Sequence, residues 1–128
     1  MLDRAHRFHG LNSLSYAYRR GQTVRGAQLS LKYALNHRRG SYRAAVVVSK
    51  KVDKSAVVRN RIRRRIYEAI RLQQTKITEP YDLIFSAYSA QLADMDTGAL
   101  HKLVRTQLQK AGAVKAPGHP HAIVKPEE

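Results

Sequence analysis

An α+β fold, in the order α-β-β-β-α-β-α, is predicted by three features of the sequence. Strand-like alternation occupies residues 29 to 49, a long arginine-rich stretch of helical period begins near residue 55, and a second strand-then-helix pattern follows Pro80. With 128 residues the chain can form one compact domain and is too short for two.

The elements follow in chain order. Residues 1–10 are basic and read as extended. Leu11, Leu14 and Tyr18 share one helical face, Asn12 or Ser13 is placed to cap it and Gly21 to end it, so a short helix is predicted over 12–20. Gln22 to Arg25 reads as a short strand. Leu29, Leu31, Tyr33 and Leu35 alternate with Ser30, Lys32 and Ala34, the period of a half-buried strand. Asn36-His37-Arg38-Arg39-Gly40 reads as a hairpin turn, returning the chain through a second strand from Tyr42 to Ser49 with Val46-Val47-Val48 at its centre. Asp53 or Ser55 caps a long helix that runs to about Gln74 and is stopped by Glu79-Pro80. Tyr81 to Tyr88 is a further strand, and a last helix spans about 97–111 with Leu100, Leu103, Val104 and Leu108 on one stripe. The domain is thus expected over 1–111. Residues 112–128, rich in glycine and proline, read as a mostly disordered tail.

Charge gives the first functional signal. The formal net charge is +15, and it is unevenly placed: residues 1–75 carry 18 Lys and Arg against Asp3, Asp53 and Glu68, whereas residues 76–128 carry six of each sign. A segregated field of this kind draws in a polyanion by long-range attraction and counterion release. The absence of cysteine excludes disulfides and Cys-based zinc sites. No apolar run is long enough to span a membrane, and the N-terminus lacks the apolar core of a signal peptide. A cytoplasmic protein with no membrane partner and no small-molecule substrate is expected.

The arginine-rich helix concentrates this charge. On a helical wheel centred on Ile62, Val58, Ile66 and Ala69 fall within about 40° and form the face that packs on the sheet. Asn60, Arg64 and Arg71 lie within about 20° of the opposite pole, while Arg59 and Arg61 flank the apolar stripe. Six arginines between residues 59 and 71 with Glu68 as the single acid repel one another. Phosphate is the natural external counter-charge for planar guanidinium forks, and Lys50, Lys51 and Lys54 extend the patch. A duplex-DNA reader would present base-reading side chains beside a second docking helix. An exposed face of arginines in a β-rich setting suits the backbone and shape of structured RNA better.

The run Val48-Ser49-Lys50-Lys51-Val52, Lys54 and Ala56-Val57-Val58-Arg59-Asn60-Arg61-Ile62-Arg63-Arg64 closely resembles the signature of the protein subunits of bacterial ribonuclease P. In that family a strand ending in Ser-Lys-Lys leads through a short loop into Ala-Val-x-Arg-Asn-Arg. The order of elements agrees, Arg7-Phe8 resembles the family's early basic-apolar pair, and the resemblance covers roughly residues 4–111. It implies a sandwich with a left-handed crossover through the long helix. It also implies two partners, a catalytic RNA subunit and precursor tRNA, whose 5′ leader the complex removes. Mg2+ would be held mainly by RNA and substrate, with no catalytic residue on the protein. By the resemblance, Lys50, Lys51, Lys54, Arg59, Asn60, Arg61, Arg63 and Arg64 face the RNA subunit. A cleft between the first helix and the sheet holds the single-stranded leader. By position Leu14, Tyr18 and Lys32 or Tyr33 would line it, with Val46 and Val48 as its floor. The sequence departs from the family pattern at Leu14, where an aromatic residue is common, and at Tyr67, where a basic one is. A ribosomal or other structural RNA-binding protein is the alternative that the charge alone would allow, and a nucleoid-type DNA binder is a third reading.

Other candidate sites are weaker. His6 with His9 and His119 with His121 lack further ligands in a fixed frame. Asp94 and Asp96 sit at a helix start, where capping accounts for them. No nucleophile-base motif or phosphate-binding glycine loop is present.

Overall fold

The computed structural model describes residue 2, residues 4–8 and residues 18–115. A single 3-10 turn, Arg4–His6, opens the described chain. Helix α1 is described over 18–20 and ends at the predicted Gly21; the rest of the predicted first helix, with Leu11, Asn12, Ser13 and Leu14, lies outside the described residues. Strands β1 (Gln22–Val24), β2 (Leu29–Leu35) and β3 (Arg43–Val48) follow, then α2 (Ala56–Arg71), β4 (Tyr81–Ala87) and α3 (Thr97–Lys110). Two further 3-10 turns, Gln74–Lys76 and Ala90–Ala93, flank β4.

The helix starts are set by side chains. Ser55 Oγ accepts from the Val58 N–H at 3.3 Å, and Asp53 Oδ1 accepts from the Ser55 N–H at 2.8 Å, so both predicted candidates act at the start of α2. Asp96 Oδ2 accepts from the Ala99 N–H at 3.1 Å and caps α3. Helix α2 ends three residues earlier than the predicted Gln74, and the 3-10 turn completes the descent toward Pro80.

The sheet order is β1-β2-β4-β3. The predicted hairpin between β2 and β3 does not form: β4 lies between them, antiparallel to β2 and parallel to β3. The Asn36 to Gly40 segment therefore carries the chain over the end of an intervening strand. Burial explains the choice of centre. Leu83, Ile84 and Phe85 are each at most 1% exposed, and a strand apolar on both faces gains most from the middle of a sheet. The edge strand β3 is partly covered, since Arg7 bridges to Ala44 and the Tyr67 hydroxyl accepts from the Val46 N–H at 3.2 Å.

Register divides the sheet into two faces. One carries Leu29, Leu31, Ala44, Val46, Val48, Leu83, Phe85 and Ala87, and packs in a single core with Ile62, Ile66, Ala69 and Ile70 of α2 and Leu100, Val104 and Leu108 of α3. Val58, assigned to the same stripe by the wheel, is partly buried against it. The other face carries Thr23, Ser30, Lys32, Asp82, Ile84, Ser86, Arg43, Ala45 and Val47. Packing continues past the predicted domain end at Ala111. Gly112 takes φ +82°, the Ala113 N–H donates to Leu108 O at 3.0 Å, and Ala113 and Val114 are buried. This is a glycine-terminated helix end whose following apolar residues turn back onto the core.

Candidate RNA interface

The first candidate surface runs from the end of β3 into α2. Ser49 O accepts from the Val52 N–H at 3.1 Å, and this tight turn projects Lys50 and Lys51 into solvent. Lys54 is likewise exposed. Arg59 bends back over the same loop, its Nη1 donating to Asp53 O at 2.9 Å and Lys54 O at 3.0 Å. It thereby fixes the backbone that carries the lysines. Asn60 and Arg64 are exposed, as the wheel placed them, and Arg63 donates to Asn60 Oδ1 across one helical turn. Among the described residues no carboxylate pairs with Lys50, Lys51, Lys54, Arg63 or Arg64.

The other arginines of α2 have internal work. Arg61 Nε donates to Ala93 O at 2.7 Å, and its Nη2 lies 3.7 Å from Asp94. Arg65, which the motif did not single out, donates to Leu92 O at 2.7 Å, to Met95 O and to Thr97 Oγ1. These two side chains satisfy the carbonyls that end the 3-10 turn Ala90–Ala93. The wheel carried a signal for Arg65, because it lies about 60° from Ile62, nearer the apolar stripe than Arg61. Arg71 is bound by both oxygens of Glu68, whose carboxyl is held below its ordinary range by that guanidinium. Among the described residues, the α2 arginines without a carboxylate partner are thus Arg59, Arg63, Arg64 and Arg65, and of these Arg59 and Arg65 are occupied by backbone carbonyls. Tyr67, at the position where the family often has a basic residue, is half-buried. Burial raises its pKa, and the neutral hydroxyl serves the β3 edge.

The second candidate surface is a groove of about 410 Å³ on the sheet face turned away from α2 and α3. It is lined by Tyr18, Thr23, Arg25, Gly26, Ser30, Lys32, Ser86 and Tyr88. The Lys32 ammonium sits 4.7 Å from the centre of the Tyr18 ring, a cation-π contact worth about 0.5–1 kcal/mol where exposed. Two of the predicted cleft residues, Tyr18 and Lys32, therefore meet here. Three do not. Tyr33 is one residue out of phase with Lys32 and points to the opposite face, where it is partly buried and its hydroxyl donates to Gln22 Oε1 at 3.0 Å. Val46 and Val48 pair in register with Phe85 and Ala87 and lie in the helix-side core at 6% exposure each. Side-chain alternation makes this a strict choice: the β3 residues on the groove's face are Ala45 and Val47. Leu14 lies outside the described residues. At the other end of the same face, Arg43 pairs with Asp82 at 2.7 Å and lies 4.2 Å from the centre of the Phe8 ring.

The described residues contain no group of three or more His, Cys, Asp or Glu arranged to hold a metal ion. Mg2+ seldom uses an all-protein cage, binding instead through one or two carboxylates, water and phosphates. No helix among the described residues is long and apolar enough to cross a membrane.

Comparison with known proteins bears on the fold and the family. The family described as Ribonuclease P matches residues 2–112. The ribonuclease P protein component of Roseiflexus castenholzii is 40% identical over 114 residues, covering 89% of this chain and 92% of that protein. The corresponding component of Clostridium kluyveri is 39% identical over 100 residues, covering 77% and 87%. Among solved structures, the Staphylococcus aureus RNase P protein superposes with a TM-score of 0.76 at 26% identity, covering 87% of this chain and 99% of that one. The Thermotoga maritima RNase P protein, at 16% identity, shares the fold with a TM-score of 0.71. With the motif, the sheet order and the two surfaces in place, the chain belongs to the ribonuclease P protein family.

Proposed function

We propose that this chain binds a catalytic RNA subunit through the β3–α2 surface and the 5′ leader of precursor tRNA through the groove beside Tyr18, so assisting endonucleolytic removal of the leader. The observation that carries the reading is the set of cations Lys50, Lys51, Lys54, Arg63 and Arg64, none of which pairs with a carboxylate among the described residues. Such a set stays electrostatically unsatisfied until phosphates reach it. Lys50, Lys51, Lys54, Asn60, Arg63 and Arg64 supply the contacts; Arg59 and Arg61 add charge while holding the loop and the 3-10 turn in place. Mg2+ would supply charge stabilisation at the scissile phosphate, held by RNA and substrate. The protein's own part is to bind, orient and screen phosphate repulsion, in the cytoplasm where precursor tRNA is made.

Reconstitution tests this directly. The protein, its cognate RNA subunit and a precursor tRNA are combined at low Mg2+, where screening by protein cations matters most, and 5′ cleavage is followed. Cleavage should rise well above that of the RNA alone. No stimulation despite retained RNA binding would abandon this reading for a structural RNA-binding role.

The groove makes a separate prediction. Tyr18→Ala should weaken binding of precursor relative to mature tRNA by about 1–3 kcal/mol, the usual worth of a base stacked on an aromatic ring. Equal losses for the two tRNAs would place the leader elsewhere.

A further inference from the structure

The groove holds a second aromatic ring. Tyr88 follows β4, and its backbone N–H donates to Gln28 O at 2.8 Å, so the β2–β4 ladder runs on past Ala87. Alternation then puts Tyr88 on the same face as Ser86 and Ser30. Its hydroxyl makes a 2.6 Å hydrogen bond with Ser30 Oγ, and Ser30 is itself buried. The side chain as a whole is 54% exposed. One end of the ring is pinned while much of the residue stays open to solvent. Restricting the rotamers beforehand lowers the ordering cost of a partner that stacks on it.

The two tyrosines are tied to successive same-face positions of one strand, Tyr18 to Lys32 and Tyr88 to Ser30. Two residues along a strand cover about 7 Å, the reach of one step in an extended single-stranded nucleic acid. The hydroxyls of Thr23 and Ser86 line the same cavity, and the exposed Arg25 stands at its rim. Among the described residues no carboxylate pairs with Arg25. Gly26 lets the β1–β2 turn lie close against β2, because a side chain there would collide with Leu29 O and Gln107 Nε2. A cavity of about 410 Å³ is of a size for a base or two and far too small for a duplex.

We infer that Tyr88, fixed by Ser30, is a second base-stacking platform, so that two neighbouring leader nucleotides are held, one on each tyrosine, with Arg25 meeting a phosphate. This rests on the leader reading above and deepens it. Two stacking sites in register explain why the hydroxyl of an exposed tyrosine is bonded to a buried serine, which free solvation of the ring would not require.

The test uses the complex of the protein with its cognate RNA subunit. Its substrates are mature tRNA and precursors in which single leader bases are replaced one at a time by abasic sites. Wild-type affinity should fall at two neighbouring leader positions. Tyr88→Ala should lower precursor affinity about fivefold to a hundredfold, leave mature tRNA binding unchanged, and abolish sensitivity at one of the two positions. Tyr18→Ala should abolish it at the other. Tyr88→Phe keeps the ring and loses only the Ser30 bond, so it should retain most of the affinity, and thermal melting of each variant checks the fold. Tyr88→Ala with wild-type precursor affinity, beside a Tyr18→Ala that loses it, overturns the second platform and leaves the leader groove standing. No effect from either variant overturns both. A Tyr88→Phe loss as large as that of Tyr88→Ala assigns the effect to the hydroxyl and overturns stacking.

Discussion

An Asp82→Ala variant is expected to lose about 3–5 kcal/mol of folding stability, the usual cost of leaving one partner of a buried ion pair alone. Asp82 is 4% exposed and Arg43 12%. The guanidinium reaches the carboxylate with two donors, Nε at 2.7 Å and Nη2 at 3.3 Å, and Asn36 Nδ2 adds a third bond at 3.1 Å. Three segments thus converge on one carboxylate: β3 through Arg43, the β2–β3 connection through Asn36, and the N-terminal segment through Phe8 on the Arg43 guanidinium. Alanine would strand a cation under an aromatic ring with little water to solvate it. Denaturant unfolding measures the loss. An apolar pair, Arg43→Met with Asp82→Leu, should recover most of it, since well-packed replacements of buried pairs are often neutral. A loss under about 1 kcal/mol for Asp82→Ala would mean that the site stays hydrated.

Neighbouring arginines should give opposite results. Arg65→Ala should destabilise the protein by about 2–4 kcal/mol, because the carbonyls of Leu92 and Met95 lose a charged donor. Arg64→Ala removes an exposed side chain with no partner among the described residues, and surface changes of that kind stay within about 0.5 kcal/mol. In binding to the RNA subunit the order reverses. Arg64→Ala should reduce the slope of log K against log salt by about 0.7–0.9, one phosphate contact, while folded Arg65→Ala keeps the wild-type slope. Salt titrations on the two variants decide it. A reduced slope for Arg65→Ala alone would move the contact to the other arginine.

The contrast shows what a sequence reading can and cannot resolve here. Strand and helix positions were legible because burial imposes period, and the capping roles of Ser55 and Asp96 followed from their place before apolar runs. The outward face of α2 was legible for the same reason. Sheet order was not, because alternation says which way a side chain points and nothing about which strand lies alongside. A short polar segment after β2 reads as a hairpin whether or not a third strand will intervene. The one local signal was β4 itself, whose buried Leu83-Ile84-Phe85 core is the mark of a central strand. Alternation also leaves open which of a strand's two faces borders the groove, and Tyr33, Val46 and Val48 lie on the other one. Arg65 was legible only as a side chain near the apolar stripe; the carbonyls of Leu92 and Met95 that it reaches belong to a turn whose place beside α2 no local pattern records.

The position of β4 also governs how the chain assembles. Leu29 waits for Ala87, and Val48 for the same residue, so neither β2 nor β3 can complete its ladder until about two-thirds of the chain has left the ribosome. Pairings this distant in sequence pay their loop-closure entropy before they gain any contact, and slow the search accordingly. Until then the arginine helix has no finished platform to dock on and its apolar stripe is uncovered. The electrically balanced segment 76–128, which contributes nothing to the net charge, thus sets the moment at which the charged residues 1–75 become a shaped surface.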